Sequence, residues 1–490
     1  MRRLANFIDG KPSTADNSER AELLDPVTGK VWATAPASNG AEVDAAMRSA
    51  ARAFDGWRAT TPAERQALLL RLADALQARL PELTEAELRQ TGSRAAANEI
   101  PLAGDQLRFF AGAARLLPGL GAGEYVADHT SYVRREPLGV CVLLAPWNYP
   151  MMMAALKSAP ALAAGNTVVL KPAETTPATA LLFAEIAAEI LPPGVLNVVC
   201  GGPETGRLLV AHPAPAAVGL TGSIATGIDV ATSAAATLKR VQAELGGKTP
   251  VVVCADADLD AAVTGIVTGA LSNAGQDCTA ASRVLVAAEI HDEFLAALET
   301  AVGAVHTGGP DDETAMYGPL NNAAQLERVS RFVNTLPDHA RVVTGGHRVG
   351  TAGYFFAPTI IADVLGDDRV STEEIFGPVI TVQRFTDEAE AVKLANSVVQ
   401  GLASSVWTTD HSTAMRLSAD LDFGCVWVNT HLMFPTEMPH GGFKRSGYGK
   451  DLSTYALEEY TRVKHVMHKI IRHEPAPLIQ IAAPQPTRRT

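Results

Sequence analysis

Between residues 140 and 244, short apolar runs alternate with stretches of helical spacing, and this alternation confines the chain to few folds. Residues 140–144, 167–170, 195–200, 218–220 and 239–244 read as strands, and residues 152–164, 176–190, 204–211 and 226–236 as helices. Strand and helix in repeated alternation imply a parallel sheet with helices on both faces, an α/β class. After Gly247 the pattern restarts, with strands at 251–253 and 284–287 and helices at 258–270 and 290–303. A second α/β unit is therefore expected to begin near residue 248. Upstream, the residues to about position 30 read as short strands and turns, with turn chemistry in Asp25-Pro26-Val27-Thr28-Gly29-Lys30. Residues 41–55, 62–90 and 99–117 carry helical spacing, and Thr61-Pro62-Ala63-Glu64 has an N-cap, a proline at the first helical position and an acidic first turn.

Composition removes several classes of function. Hydrophobic residues make up 47% and charged residues 19% of the 490 positions, which is globular rather than disordered. A net charge of −12 leaves no broad cationic surface for nucleic acid. The most apolar stretch, residues 151–170, contains Lys157, Pro160 and Asn166, so no membrane span is expected. Cys141, Cys200, Cys254, Cys278 and Cys425 are scattered without metal-like pairing, and nothing at the N-terminus reads as a signal peptide. Reduced thiols, a cytoplasmic setting and no metal are the expectations.

Chemistry concentrates in a few runs. Cys278 lies in Gly275-Gln276-Asp277-Cys278-Thr279-Ala280, a polar, glycine-containing loop. A free cysteine is most often a buried structural residue, but loops held on rigid scaffolds are where reactive groups sit. Glu244 ends an apolar strand before Gly246 and Gly247. It is either a solvated strand end or a general base whose value burial has raised. Asn148, in Pro146-Trp147-Asn148-Tyr149-Pro150, is either a turn residue or an amide donor for an oxyanion. A thiol, a carboxylate and an amide are the parts needed to oxidise a carbonyl through a covalent thioester. In residues 220–227, a strand meets a Gly-Ser turn and a helix start, where Ser223 and backbone N–H groups could hold a diphosphate. Lys171 and Glu174 follow the second strand at its carboxyl end and could reach ribose hydroxyls. A glutamate there would repel a 2′-phosphate and favour NAD over NADP. A solvated Lys/Glu pair is the competing reading.

These runs together resemble the aldehyde dehydrogenase superfamily, in the family's order and from about residue 5 to residue 468. Glu373-Glu374-Ile375-Phe376-Gly377-Pro378 and residues 439–447 extend the match. The resemblance implies a fold with a parallel-sheet cofactor domain (1–120 and 140–247), an α/β catalytic domain (248–450) and a small β oligomerisation element (121–139 and 451–470). Residues 471–490, rich in proline, read as an irregular tail. The resemblance also implies residue roles. Cys278 would be the nucleophile, Glu244 the general base and Asn148 the oxyanion donor. Trp147, Lys171, Glu174, Gly202, Ser223, Leu245, Gln325, Glu374 and Phe376 would contact the cofactor, NAD. Homodimers or homotetramers follow by the same resemblance. Leu220 stands where the family often has Phe, a change of packing rather than of chemistry.

Several longer runs, among them residues 275–283, 427–431 and 437–442, are similar to bacterial gamma-aminobutyraldehyde dehydrogenases. That implies an ω-aminoaldehyde such as 4-aminobutanal, from putrescine breakdown. An ammonium-bearing substrate wants an anion or an aromatic face, and Asp277, Asp105 and Tyr149 are the candidates. Betaine aldehyde would suit the same groups, and succinate semialdehyde or a simple aliphatic aldehyde are further alternatives. A non-catalytic protein on this fold is the rival from another class; the presence of both Cys278 and Glu244 argues against it.

Overall fold

The computed structural model describes residues 2–13 and 19–471. Two large sheets organise it. The first has eight strands in the order Gly447–Tyr448, Arg240–Leu245, Pro215–Gly222, Val140–Leu144, Thr167–Lys171, Leu196–Val198, Phe7–Ile8 and Lys11–Pro12. Its five central strands are parallel, as the alternation predicts. The edges are not: Phe7–Ile8, Lys11–Pro12 and Gly447–Tyr448 add antiparallel strands from both ends of the chain. The sheet is thus wider than the expected five strands. Two-residue strands are too short to leave a periodic signal.

The helices Gly40–Arg58, Pro150–Ala163, Ala178–Ala188, Pro203–Ala211 and Ile224–Ala235 cover the sheet. Val140–Leu144 and Thr167–Lys171 are buried at every position, which is why they read as apolar runs rather than alternating ones. The expected single helix over 62–90 is two, Pro62–Ala78 and Leu80–Thr91, parted at Arg79 just before Pro81.

The second sheet has the order Arg341–Thr344, Thr359–Ala362, Val379–Phe385, Arg283–Ala287, Pro250–Val253, Ala403–Trp407 and Cys425–Val428. All its pairs are parallel except the Arg341–Thr344 edge. A third, three-stranded antiparallel sheet joins Gly123–Val126, His129–Pro137 and Thr461–Lys469. The two segments assigned to a β element from sequence do pair with each other. The expected irregular tail lies outside the described residues beyond Ile471. No described helix is long and apolar enough to cross a membrane.

Candidate active site

Strand order in the first sheet reverses between Val140–Leu144 and Pro215–Gly222. Loops leaving neighbouring carboxyl ends at such a point diverge and open a crevice. One loop carries Pro146, Trp147 and Asn148. The other carries Ser223, which N-caps helix Ile224–Ala235 by accepting from the Thr226 N–H at 3.2 Å. Two cavities fill the crevice. One, of about 350 Å³, is lined by Lys171, Glu174, Gly206, Arg207 and Asp229. The other, of about 310 Å³, is lined by Asn148, Glu244, Leu245, Cys278, Gln325, Arg328, Glu374 and Phe376. Both share Pro146, Trp147, Thr221, Gly222 and Ser223, so they form one elongated slot.

Cys278 reaches the slot from the second sheet. Helix Leu259–Leu271 ends in a tight turn in which Asn273, Ala274 and Gly275 all have positive φ. That turn folds the chain back before strand Arg283–Ala287 and presents the half-buried thiol. Gly247 must be glycine, because a Cβ there would overlap the Cys278 carbonyl oxygen. Burial, followed by the charges of Asp277, Glu374 and Glu244, pushes the Cys278 thiol well above its usual range. Without a ligand the sulfur is therefore held as the thiol.

Asn148 is 6% exposed and tied on two sides. Its Nδ2 donates to the Gln276 carbonyl at 3.1 Å, and its own carbonyl accepts from Asn273 Nδ2 at 2.9 Å. Its amide is thereby fixed to the cysteine loop. Glu244, 4% exposed, ends strand Arg240–Leu245, and neither carboxylate oxygen has a hydrogen-bond partner among the described residues. Burial raises its carboxyl well above the usual range; Asp451 adds to the rise, while Lys157 and Lys450 oppose it. An unpartnered carboxyl facing a cavity is free to accept a proton from a ligand or from water.

The opposite wall is the 373–378 segment. Phe376 has φ of +60° and packs edge-on against Trp147 with ring centroids 5.3 Å apart. Gln325 spends its Nε2 on the carbonyls of Ile375 (3.2 Å) and Phe376 (2.6 Å), so it holds the turn as well as lining the slot. Arg328, which the sequence reading missed, lines the slot and donates to the Glu374 carbonyl. Its signal was available: it lies three residues after Gln325 on helix Ala323–Asn334, hence on the same face. Glu374 accepts from the Gly247 N–H at 3.1 Å, and burial lifts its carboxyl to about 7.

At the far end, Lys171 is buried with its Nζ on the carbonyls of Pro172 and Gly201, both at 2.8 Å, while Glu174 is exposed. Gly202 N-caps helix Pro203–Ala211, but Pro203 and Gly206, rather than Gly202, line the slot. The three substrate candidates lie outside both cavities. Asp277 accepts from the Tyr149 hydroxyl at 2.9 Å and from the Thr279 N–H at 2.8 Å. Asp105 is exposed and accepts from Thr436 Oγ1 at 2.8 Å. An aromatic group, drawn from the runs at 427–431 and 437–442 together with Phe434, adjoins the cysteine loop. His431 Nε2 lies 2.8 Å from the Thr279 carbonyl and its ring packs on Trp427, which meets Phe434, which meets His440.

A slot opened by one sheet and supplied with a thiol by another defines a class of two-sheet α/β enzymes in which a long ligand and a reactive sulfur meet at the seam. Within that class, residues 13–466 match the model of the Aldehyde dehydrogenase family, and the chain belongs to it. It is 41% identical over 474 residues to betaine aldehyde dehydrogenase of Sinorhizobium fredii, covering 95% of this chain and 97% of that one. An NAD-dependent aldehyde dehydrogenase from Sinorhizobium meliloti superposes with a TM-score of 0.94 at 37% identity, over 98% of this chain and 97% of that one. A point mutant of betaine aldehyde dehydrogenase from Staphylococcus aureus, solved with NAD+, gives 0.93 at 32% identity over 96% and 98%. Two of these three are named for betaine aldehyde, where the sequence reading placed 4-aminobutanal first.

Proposed function

We propose that this enzyme uses NAD to oxidise an aldehyde bearing an ammonium or trimethylammonium group to its carboxylic acid. The observation that carries the reading is the convergence of Asn148, Glu244 and Cys278, distant in sequence, on one cavity continuous with an elongated slot. The slot suits a dinucleotide in its two lobes, in the unpartnered Thr221 Oγ1 on their shared wall, and in the bare Gly246 beside Glu374. Lys171 and Glu174 would take the adenosine ribose, Ser223 the pyrophosphate, and Leu245, Glu374 and Phe376 the nicotinamide half, with Trp147 and Gln325 bracing it. Bound NAD supplies an acceptor for the hydride that leaves the substrate carbon.

The chain's own residues do the rest. Cys278 gives up its thiol proton to solvent and Sγ adds to the aldehyde carbon, while the Asn148 amide and the Cys278 backbone N–H donate to the oxygen as it gains charge. Loss of hydride leaves an acyl group on sulfur. Glu244 takes a proton from water, which attacks the thioester; the acid departs and the thiol is restored.

Substrate class rests on charge and rings. Asp277 sits beside the thiol, and burial lowers His431 to about 4, so the Trp427–His431–Phe434–His440 group is uncharged at its core. Neutral rings and a carboxylate suit a cation. The named relatives favour betaine aldehyde; the runs at 427–431 and 437–442 favour 4-aminobutanal. Steady-state rates with both, beside succinate semialdehyde and an aliphatic aldehyde, with NAD and NADP, decide. A preference for succinate semialdehyde, or undiminished turnover by Cys278→Ala, would overturn the reading. The sheet of Gly123–Val126, His129–Pro137 and Thr461–Lys469 is proposed as a subunit contact.

A further inference from the structure

Two glutamates that the mechanism does not use lie buried behind Asn148 and Tyr149. Glu87, on helix Leu80–Thr91, is 0% exposed, and Glu99, on helix Ala96–Ala113, is 3% exposed. They bear on each other electrostatically. Both also reach the start of helix Pro150–Ala163, whose N-cap, Tyr149, offers no side-chain cap. Glu87 Oε1 accepts from the Met151 N–H and Glu99 Oε1 from the Met152 N–H, each at 3.1 Å. Glu87 Oε2 further accepts from Gln90 Nε2 at 2.6 Å and Thr179 Oγ1 at 2.6 Å.

The first N–H groups of a helix have no partner within it and favour one negative charge. Two carboxylates gathered on adjacent N–H groups in a buried site do not readily both ionise, so the pair holds one proton. The two N–H bonds tie each of two helices to a third, and a proton held at the pair keeps the neighbouring carboxyls from repelling each other. Immediately upstream of the capped turn stand Asn148, tied to Gln276 and Asn273, and Tyr149, tied to Asp277. We propose that the Glu99–Glu87 pair, seated on the first N–H groups of helix Pro150–Ala163, is a positioning device that sets the Asn148–Tyr149 turn against the cysteine loop. The inference rests on the proposed role of Asn148 and extends the catalytic apparatus to residues that touch neither substrate nor cofactor.

The ionisable groups bearing on Glu99 are Glu87 from its neighbouring helix and Tyr149 from the capped turn. Burial first, then Glu87, raises the Glu99 carboxyl well above its usual range. A carboxyl raised in the folded state contributes stability below its unfolded value and loses that contribution as pH rises toward the folded one. Gln at 99 keeps a donor toward Glu87 without a titrating proton; Ala removes it.

The test compares wild type, Glu99→Gln and Glu99→Ala. As pH rises from the ordinary carboxyl value of 4.5, the melting temperature of Glu99→Gln should gain on that of wild type; a difference constant across the whole range of folded pH would overturn the proposal, whatever the reaction. At neutral pH, Glu99→Ala should lose about 10-fold to 100-fold in kcat while its Kd for NAD stays unchanged, and Glu99→Gln should recover most of that loss. Equal kcat in both variants, or a loss of NAD binding as large as the loss of kcat, would count against a positioning role. Cys278→Ala assayed alongside reports separately on the proposed chemistry: full activity there fails the reaction, not the carboxyl pair.

Discussion

At the residue scale the site is a problem of protonation. Cys278 is held as a thiol by burial and by Asp277, the charge that most opposes its ionisation. Thiolate, not thiol, is the nucleophile, so alkylation by iodoacetamide of the ligand-free enzyme should speed up as pH rises. Asp277→Asn should speed it at any fixed pH, because the charge opposing ionisation is gone; an unchanged rate would remove Asp277 as a cause. Under the proposed mechanism Glu244 has the opposite task, and its oxygens, unpartnered among the described residues, suit it to water activation. Glu244→Gln should spare the first-turnover burst of NADH and lower steady-state turnover by about 100-fold or more, as stopped-flow absorbance would show. Loss of the burst would place Glu244 before the hydride step. Asn148→Ala should lower kcat by about 100-fold to 1,000-fold, because the oxyanion donation proposed for it acts mainly in the transition state.

At the element scale, the wall opposite Trp147 is a single strained turn. Phe376 keeps a positive φ that a bulky residue seldom adopts, and Gln325 holds it with two hydrogen bonds from a neighbouring helix. Each such bond contributes about 1 kcal/mol, so Gln325→Ala should raise the KM for NAD by about 10-fold and change kcat less. A fall in kcat with KM unchanged would instead give Gln325 a part in the chemistry. Most of these elements were legible in sequence. The five parallel strands and their helices announce themselves because buried strands are apolar throughout and helices keep their period. The edge strands were not legible, nor was the break at Arg79, because both depend on what the chain finds beside it.

At the scale of the whole molecule, the C-terminal segment closes the structure. Gly447–Tyr448 pairs with Arg240–Leu245, and Asp451 buries its carboxylate against Lys157 at 2.7 Å, with side chains 3% and 0% exposed. Lys157 also donates to Gln242 Oε1 at 2.9 Å, so one cation joins three distant segments. Removing one member of a buried pair strands the other, so Lys157→Met should cost about 3–5 kcal/mol, seen as a lower melting temperature. Adding Asp451→Leu should restore much of it; a double variant as unstable as the single would assign the loss to packing. The sequence by itself determined the class of fold, the family and the candidates Cys278, Glu244 and Asn148, because nucleophilic loops and glycine-flanked strand ends carry local signatures. Only the tertiary structure decided that Glu244 has no partner, that Gln325 braces a turn, that Arg328 lines the slot and that two glutamates share a helix cap. Those facts depend on which surfaces meet and on how much water is left between them, and neither is written in the order of residues along the chain.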